Sequence, residues 1–212
     1  MTKFLTIVAL SLASCLGFSD EFKRVEYSKI NAVLQYVHDE VKSPMAQLNT
    51  RVNYSGEGEI KAWLEGSGAT KKPLPIDSND NINLPLVTEA EANALTLVLN
   101  QPEHLTSLSV TLFLAPPIEN VMPYQTLFSC LDDINGLTEK MAGGMSWLTP
   151  TLKTLQFHFG QPATITMTAG GKTTTYRTDE THSIELKRNQ RVEAQNPTVT
   201  FSRQAESVVT LR

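Results

Sequence analysis

Apolar side chains recur every three or four residues at Ile30, Val33, Leu34, Val37 and Val41, the spacing of one helical face. Ser28 stands where a hydroxyl can accept a hydrogen bond from an orphaned N–H of the first turn, and Pro44 blocks continuation. The pattern predicts a helix of about twelve residues with one buried side. The period then shortens to two. "LNTRVNY" places Leu48, Val52 and Tyr54 on one face, and "EIKAWLEG" sets Ile60, Ala62 and Leu64 against Lys61, Trp63 and Glu65. Short strands are expected around Pro73–Ile76 and Ile82–Leu86. "ALTLVLN" and "SLSVTLFLA" read as a pair joined across Gln101–Thr106.

"APPIENVMP", residues 115–123, interrupts this alternation, because its three prolines cannot sit in a sheet interior. Beyond it the helical period returns over Tyr124–Met141, with Leu127, Phe128, Leu131, Ile134 and Met141 along one stripe and Gly143 and Gly144 as the stop. Strands follow again: "LQFHF", "ATITMTA", "KTTTYRT", "SIELK", "PTVTFS" and "SVVTL". The fold class expected is α+β and mainly antiparallel β. It comprises two tandem related units, residues 20–116 and 117–212, each an amphipathic helix packed on a small β-sandwich.

The relation between the units rests on a register. Pairing Asp77 with Asp179 and sliding forward without gaps matches Ile82 with Ile184, Leu84 with Leu186, Glu91 with Glu193, Ala92 with Ala194 and Thr96 with Thr198. These are six identities in the 24 positions from 77 to 100, where unrelated segments of ordinary composition give about one or two. Each half also opens its helix on a tyrosine, "YSKINAVL" against "YQTLFSCL". A repeat near one hundred residues implies an internal duplication.

The same register bears on metal chemistry. Asp77, Asn79 and Asn81 fall at the first, third and fifth positions of a calcium loop, but Ile82 replaces the sixth-position glycine and Thr88 the twelfth-position glutamate. In the second copy Thr181 and Ser183 stand in for the asparagines while the flanking Ile and Leu persist. The reading is a polar turn between strands, closed by an Asp side chain bonding its own backbone; no metal is expected.

Met1–Leu16 carries Lys3 and then the run "FLTIVALSLASCL", which is too short for a permanent membrane span and is placed like an export signal. Residues 1–19 are expected to be a signal peptide. Two maturations stay open: cleavage after Ser19, or a lipobox-like "LASC" in which Cys15 becomes the lipidated first residue. Either leaves Cys130 as the one remaining cysteine, with no intramolecular disulfide. Losing Lys3 leaves 17 basic against 22 acidic residues, taking the net charge from −4 to −5. These charges form no cationic block of the kind that displaces counterions, so no nucleic acid is expected as a partner.

Catalytic signatures are missing from the sequence. His38, His104, His158 and His182 form no pair at zinc spacing, no G-x-S-x-G elbow occurs, and "GSG" and "AGGK" read as hairpin turns. No catalytic residue, cofactor or enzymatic activity is expected. Trp63 and Trp147 remain as candidate contacts for a ligand or partner, since exposed tryptophans serve protein interfaces and sugar stacking.

"WLEG" at 63–66 followed by "PLPIDSNDNINLPL" at 73–86 resembles the pattern of an uncharacterised bacterial family of exported proteins. The layout is also similar to transthyretin-like, regulatory-type β-sandwich modules. The resemblance implies an extracytoplasmic β-sandwich and carries over no catalytic residue. The expected function is a noncatalytic structural or protein-interaction module of the bacterial cell envelope. The alternative is a periplasmic small-molecule or glycan-binding protein with its groove between the units. Its partner would be an envelope protein or a glycan, with membrane contact only through the signal peptide or a lipid anchor.

Overall fold

The computed structural model of the chain describes residues 22–66, 71–142 and 151–211 together with the backbone of Val8–Ser11. Cys15, Trp147 and the helix stop expected at Gly143 and Gly144 lie outside the described residues. The fold is α+β, with antiparallel strands in several sheets and four α-helices among the described residues. No described helix is long and apolar enough to cross a membrane. The chain divides into two compact units, one from Ala9–Asp39 and Leu48–Thr111, the other including Glu40–Gln47 and Leu112–Arg212.

In the first unit β2 (Phe22–Glu26) runs directly into α1 (Tyr27–Glu40). The helix therefore starts one residue before the expected cap, and Ser28 lies inside it. The physical reason is a backbone partner: the Tyr27 N–H donates to the Leu95 carbonyl at 3.1 Å, anchoring the first turn without a Ser28 cap. Of the predicted stripe Ile30, Val33 and Leu34 are buried and Val37 and Val41 half-buried, and α1 also buries Tyr27 and Asn31. Two of its polar groups hold the segment ahead of α2 (Glu89–Asn93). Tyr27 Oη donates to the Pro85 carbonyl at 2.6 Å, and the Asn31 amide exchanges two 3.0 Å hydrogen bonds with the backbone of Val87. These bonds take backbone groups that a strand over Ile82–Leu86 would need. Only Ile82 makes a bridge there, to Ile76.

The remaining strands of this unit are β3 (Ala46–Tyr54), β4 (Ala62–Glu65), β5 (Lys71–Leu74), β6 (Thr96–Pro102) and β7 (Thr106–Leu114). They form a four-stranded sheet in the order β2-β6-β4-β5 and a three-stranded sheet β1-β7-β3, where β1 is Val8–Ser11. One face of the four-stranded sheet is apolar: Val25, Leu97, Leu99, Ala62, Leu64 and Leu74 are all buried. Lys23 shares this face at 2 % exposure, with its ammonium 3.2 Å from Glu103 in a 3-10 turn, Glu103–Leu105. A buried lysine is tolerated only with such a partner.

The second unit opens on β8 (Val121–Pro123) and α3 (Tyr124–Ala142). Pro123, expected to be excluded from a sheet interior, lies in an edge strand, where a missing N–H costs no ladder bond. Tyr124, Leu127, Phe128, Cys130, Leu131, Ile134 and Leu137 are buried along α3. Fully burying each Leu or Phe contributes about 1.5–3 kcal/mol. The strands β9 (Thr154–His158), β10 (Thr164–Ala169), β11 (Lys172–Arg177), β12 (Ser183–Lys187), β13 (Thr198–Phe201) and β14 (Ser207–Leu211) follow, with α4 (Gln190–Gln195) before β13. Their sheets are β11-β10-β13-β8 and β12-β9-β14. Leu155, Phe157 and Phe159 are buried as alternation predicted. Helices α2 and α4 were not expected. They are held by side-chain caps, a Thr88–Glu91 capping box and an Asn189 cap, rather than by an apolar stripe.

Candidate functional site

The four-stranded sheet of the first unit carries an aromatic and charged cluster on the face opposite its apolar side. Alternation along β4 sends Ala62 and Leu64 inward and leaves Trp63 half-buried beside Glu65. The Trp63 Nε1–H donates to Glu65 Oε1 at 2.8 Å. Lys71 from β5 places its ammonium 4.8 Å from the Trp63 ring centroid, a cation–π distance, and 3.6 Å from the Glu65 carboxylate. Arg24 from β2 pairs with the other oxygen of Glu65, and Phe22, 48 % exposed, meets the Trp63 ring edge-on at 5.9 Å. The indole hydrogen bond first, and then the two cations, hold Glu65 below the usual carboxylate range. Trp63 is thus partly exposed in a preordered surround. Phe22, Arg24 and Lys71 were not singled out from sequence; the Trp63–Glu65 spacing of two on one strand was the available signal.

The two Asp-led turns are closed by the same bonds. Asp77 Oδ1 accepts the N–H groups of Asn79 and Asn81 at 2.8 and 2.9 Å; Asp179 Oδ1 accepts those of Thr181 and Ser183 at 2.9 and 2.8 Å. In each, the fourth residue donates its N–H back to the Asp carbonyl, Asp80 at 3.0 Å and His182 at 3.1 Å. Both fourth residues take positive φ, 63° and 56°. Hydrogen bonds hold both carboxylates below their ordinary value, from the Asn81 side chain first at Asp77 and from the Ser183 backbone first at Asp179. Among the described residues no group of three His, Cys, Asp or Glu is placed to hold a metal ion.

Two outcomes follow for these turns. Millimolar calcium leaves the melting temperature unchanged, because the loop oxygens are engaged by backbone donors; a rise of several degrees would contradict this. Because both folded pKa values are depressed, the turns contribute stability in full above the unfolded value of about 3.9 and lose it as pH falls through the folded value. The Asp77→Ala/Asp179→Ala double variant therefore melts below the parent at pH 7. The gap closes in strong acid, as thermal scans across pH will read.

Beside the second turn, Ser183 Oγ lies 3.0 Å from His158 Nδ1, a pairing 25 residues apart in sequence that periodicity cannot show. A Ser-His-Asp relay needs the carboxylate to orient the histidine's second nitrogen. Asp179 Oδ1 instead takes three donors, the N–H groups of Thr181 and Ser183 and the Thr181 hydroxyl, and Ser183 is buried. The group closes a turn. His38 is exposed and bonds its neighbour Asp39. Cys130 is a core residue: its Sγ–H donates to the Leu127 carbonyl at 3.2 Å, and burial pushes its thiol up to about 12. Such a thiol is inert as a nucleophile.

Two clefts of the first unit approach ligand size, one of about 330 Å³ beside Tyr54 and His104 and a more apolar one beside Leu64. The second, of about 320 Å³, is an open cleft lined by Leu64, Gly66, Pro85, Val87 and Leu95, with Lys72 and Glu91 at its polar side. No family model matches the chain, and neither the curated proteins nor the solved structures contain a match to it.

Proposed function

We propose that the chain is a noncatalytic, exported interaction module of the bacterial cell envelope, built by duplication of one helix-and-sandwich unit. The observation that carries the duplication is the strand order. Edge to edge, β2-β6-β4-β5 and β8-β13-β10-β11 run through the chain in the same sequence relative to their helices. The registers support it: Val25 and Leu64 flank Leu97 as Met122 and Met167 flank Val199, and Leu97 matches Val199 in the sequence register. The Tyr27 and Tyr124 N–H groups each donate to the carbonyl just ahead of the second strand in that order, Leu95 before β6 and Pro197 before β13.

The noncatalytic reading is supported by where reactive groups direct their hydrogen bonds. Asp77, Asp179, Ser183 and Thr181 close turns, and Arg188 ties Asp132 of α3 to Glu193 of α4. Export rests on the leader pattern of residues 1–19, and intact mass of the mature protein separates cleavage after Ser19 from acylation at Cys15. The partner reading is tested by a photo-crosslinking residue at Phe22, beside Trp63, in cells that make the protein. A single protein adduct that is lost when Trp63 is replaced by Ala supports it; no adduct above background contradicts it.

A small-molecule or glycan-binding role is the second reading, favoured by the cavity beside Lys72 and Glu91 and by the half-buried Trp63 ring. In a Trp147→Phe background, saturable quenching of Trp63 fluorescence by an envelope glycan would place this reading first.

A further inference from the structure

We infer that β11 is a docking edge, which takes an extended segment of a partner protein with carboxylates at both ends of an alternating Val/Thr stretch as a fifth antiparallel strand. The inference rests on the interaction-module reading and names its surface.

β11 is the terminal strand of its sheet, and all six of its residues, Lys172–Arg177, are exposed. Edge strands left open in this way template pairing with another chain unless something blocks them. The other three edges of the two four-stranded sheets carry such a block. β5 contains Pro73, β8 contains Pro123, and β2 is broken by a register shift between Phe22 and Lys23. β11 has neither proline nor bulge.

The hairpin fixes which backbone groups are free. Ala169 and Lys172 flank a two-residue turn of Gly170 and Gly171, both at positive φ, and so form a mutually hydrogen-bonded pair. Antiparallel ladders alternate, so Thr174 and Tyr176 also bond inward to β10. The Thr178 N–H, of the same parity, donates to the Ala163 carbonyl at 3.1 Å. Thr173, Thr175 and Arg177 therefore aim their N–H and C=O groups away from the sheet. The registers Ala62↔Leu74 and Ile165↔Tyr176 place Pro73 of the first unit at the position of Thr175 in the second. One edge lacks the central outward donor, and the other keeps it.

Charge selects the occupant. Lys172 and Arg177 close the two ends of the strand, and among the described residues neither has an ion-pair partner, whereas Lys71 on β5 is engaged by Glu65. Antiparallel pairing of two copies must match outward-bonding residues with one another, which about Thr175 sets Arg177 opposite Thr173 and Lys172 opposite Thr178, so neither cation would face a carboxylate. A partner strand with carboxylates five positions apart answers both cations. Inward-facing Val side chains would extend the apolar side next to Tyr176, over a strand about 20 Å long.

The test uses the full chain and a blocked peptide, Glu-Val-Thr-Val-Thr-Glu, followed by amide chemical shifts and hydrogen exchange. Saturable binding should slow exchange at the amides of Thr173, Thr175 and Arg177 and leave those of Thr174 and Tyr176 unchanged. Thr175→Pro, which copies the other unit's residue, should weaken binding about tenfold or more by removing a donor. Lys172→Glu/Arg177→Glu should weaken it comparably and supplies the reading if the proline variant fails to fold. No saturable binding, or equal binding to the parent and the charge-reversed variant, overturns the inference. So does concentration-dependent dimerisation abolished by Thr175→Pro, which would make a second copy the occupant. A null result here alongside a Phe22 adduct in cells would remove the β11 edge and leave the module reading standing.

Discussion

Leu131→Asp is expected to unfold the second unit. Leu131 is 0 % exposed in the buried stripe of α3, among Leu127, Phe128 and Ile134. The substitution removes about 1.5–3 kcal/mol of apolar burial. It also forces a carboxylate into that seam without a partner, a cost of several kcal/mol unless the group takes up a proton. Against a total stability of about 5–15 kcal/mol, the sum is comparable to the whole stability of a modestly stable unit. Leu34→Asp in α1 applies the same test to the first unit. Circular dichroism should lose a large part of its structured signal in each variant, and the melting transition of the altered unit should vanish. Native spectra and unchanged melting in both would show that these stripes do not hold the units together.

The second large effect belongs to Asp133. Its side chain, 6 % exposed on α3, accepts the N–H groups of Lys42 and Ser43 at 3.2 and 2.8 Å and so fastens the segment after α1 within the second unit. Burial outweighs these bonds and holds the carboxyl above its ordinary value. Asp133→Ala strands two buried donors, each costing about 1–3 kcal/mol, while relieving part of the desolvation of a charge. The donors dominate, and the net loss at pH 7 is about 2–3 kcal/mol. The pH dependence has the opposite sign to that of the turns. A raised folded pKa means the folded state binds the proton first, so the parent gains stability as pH falls through that value towards the unfolded value of about 3.9. The gap between parent and variant in urea unfolding should therefore widen as pH falls from 7 towards the unfolded value of about 3.9. A gap that narrows would contradict the assigned burial.

Much of this architecture is legible in the sequence where a physical period is long enough to register. α1 and α3 run about four and five turns, and of the residues the spacing names Ile30, Val33, Leu34, Leu127, Phe128, Leu131 and Ile134 are buried, whereas Val37, Val41 and Met141 are half-buried. β2 is not legible because the first of its two inward residues is Lys23, whose partner Glu103 lies 80 positions away, so "FKRVE" reads as polar. α2 and α4 are too short for a stripe and depend on caps. The expected strand at Ile82–Leu86 fails because Tyr27 and Asn31 of α1 bond Pro85 and Val87. The partly exposed Trp63 could be singled out from alternation, but its surround comes from three strands. The Ser183–His158 pair and the open edge at β11 depend on strand order, which the period of a single strand does not carry.

The central claim is that one plan was used twice. Cross-strand nuclear Overhauser contacts test it most directly. The account predicts continuous rows linking Arg24, Val98, Trp63 and Pro73 in the first unit, and Val121, Thr200, Thr166 and Thr175 in the second, with the same strand order relative to the two helices. A second unit whose strands neighbour one another in any other order would contradict it.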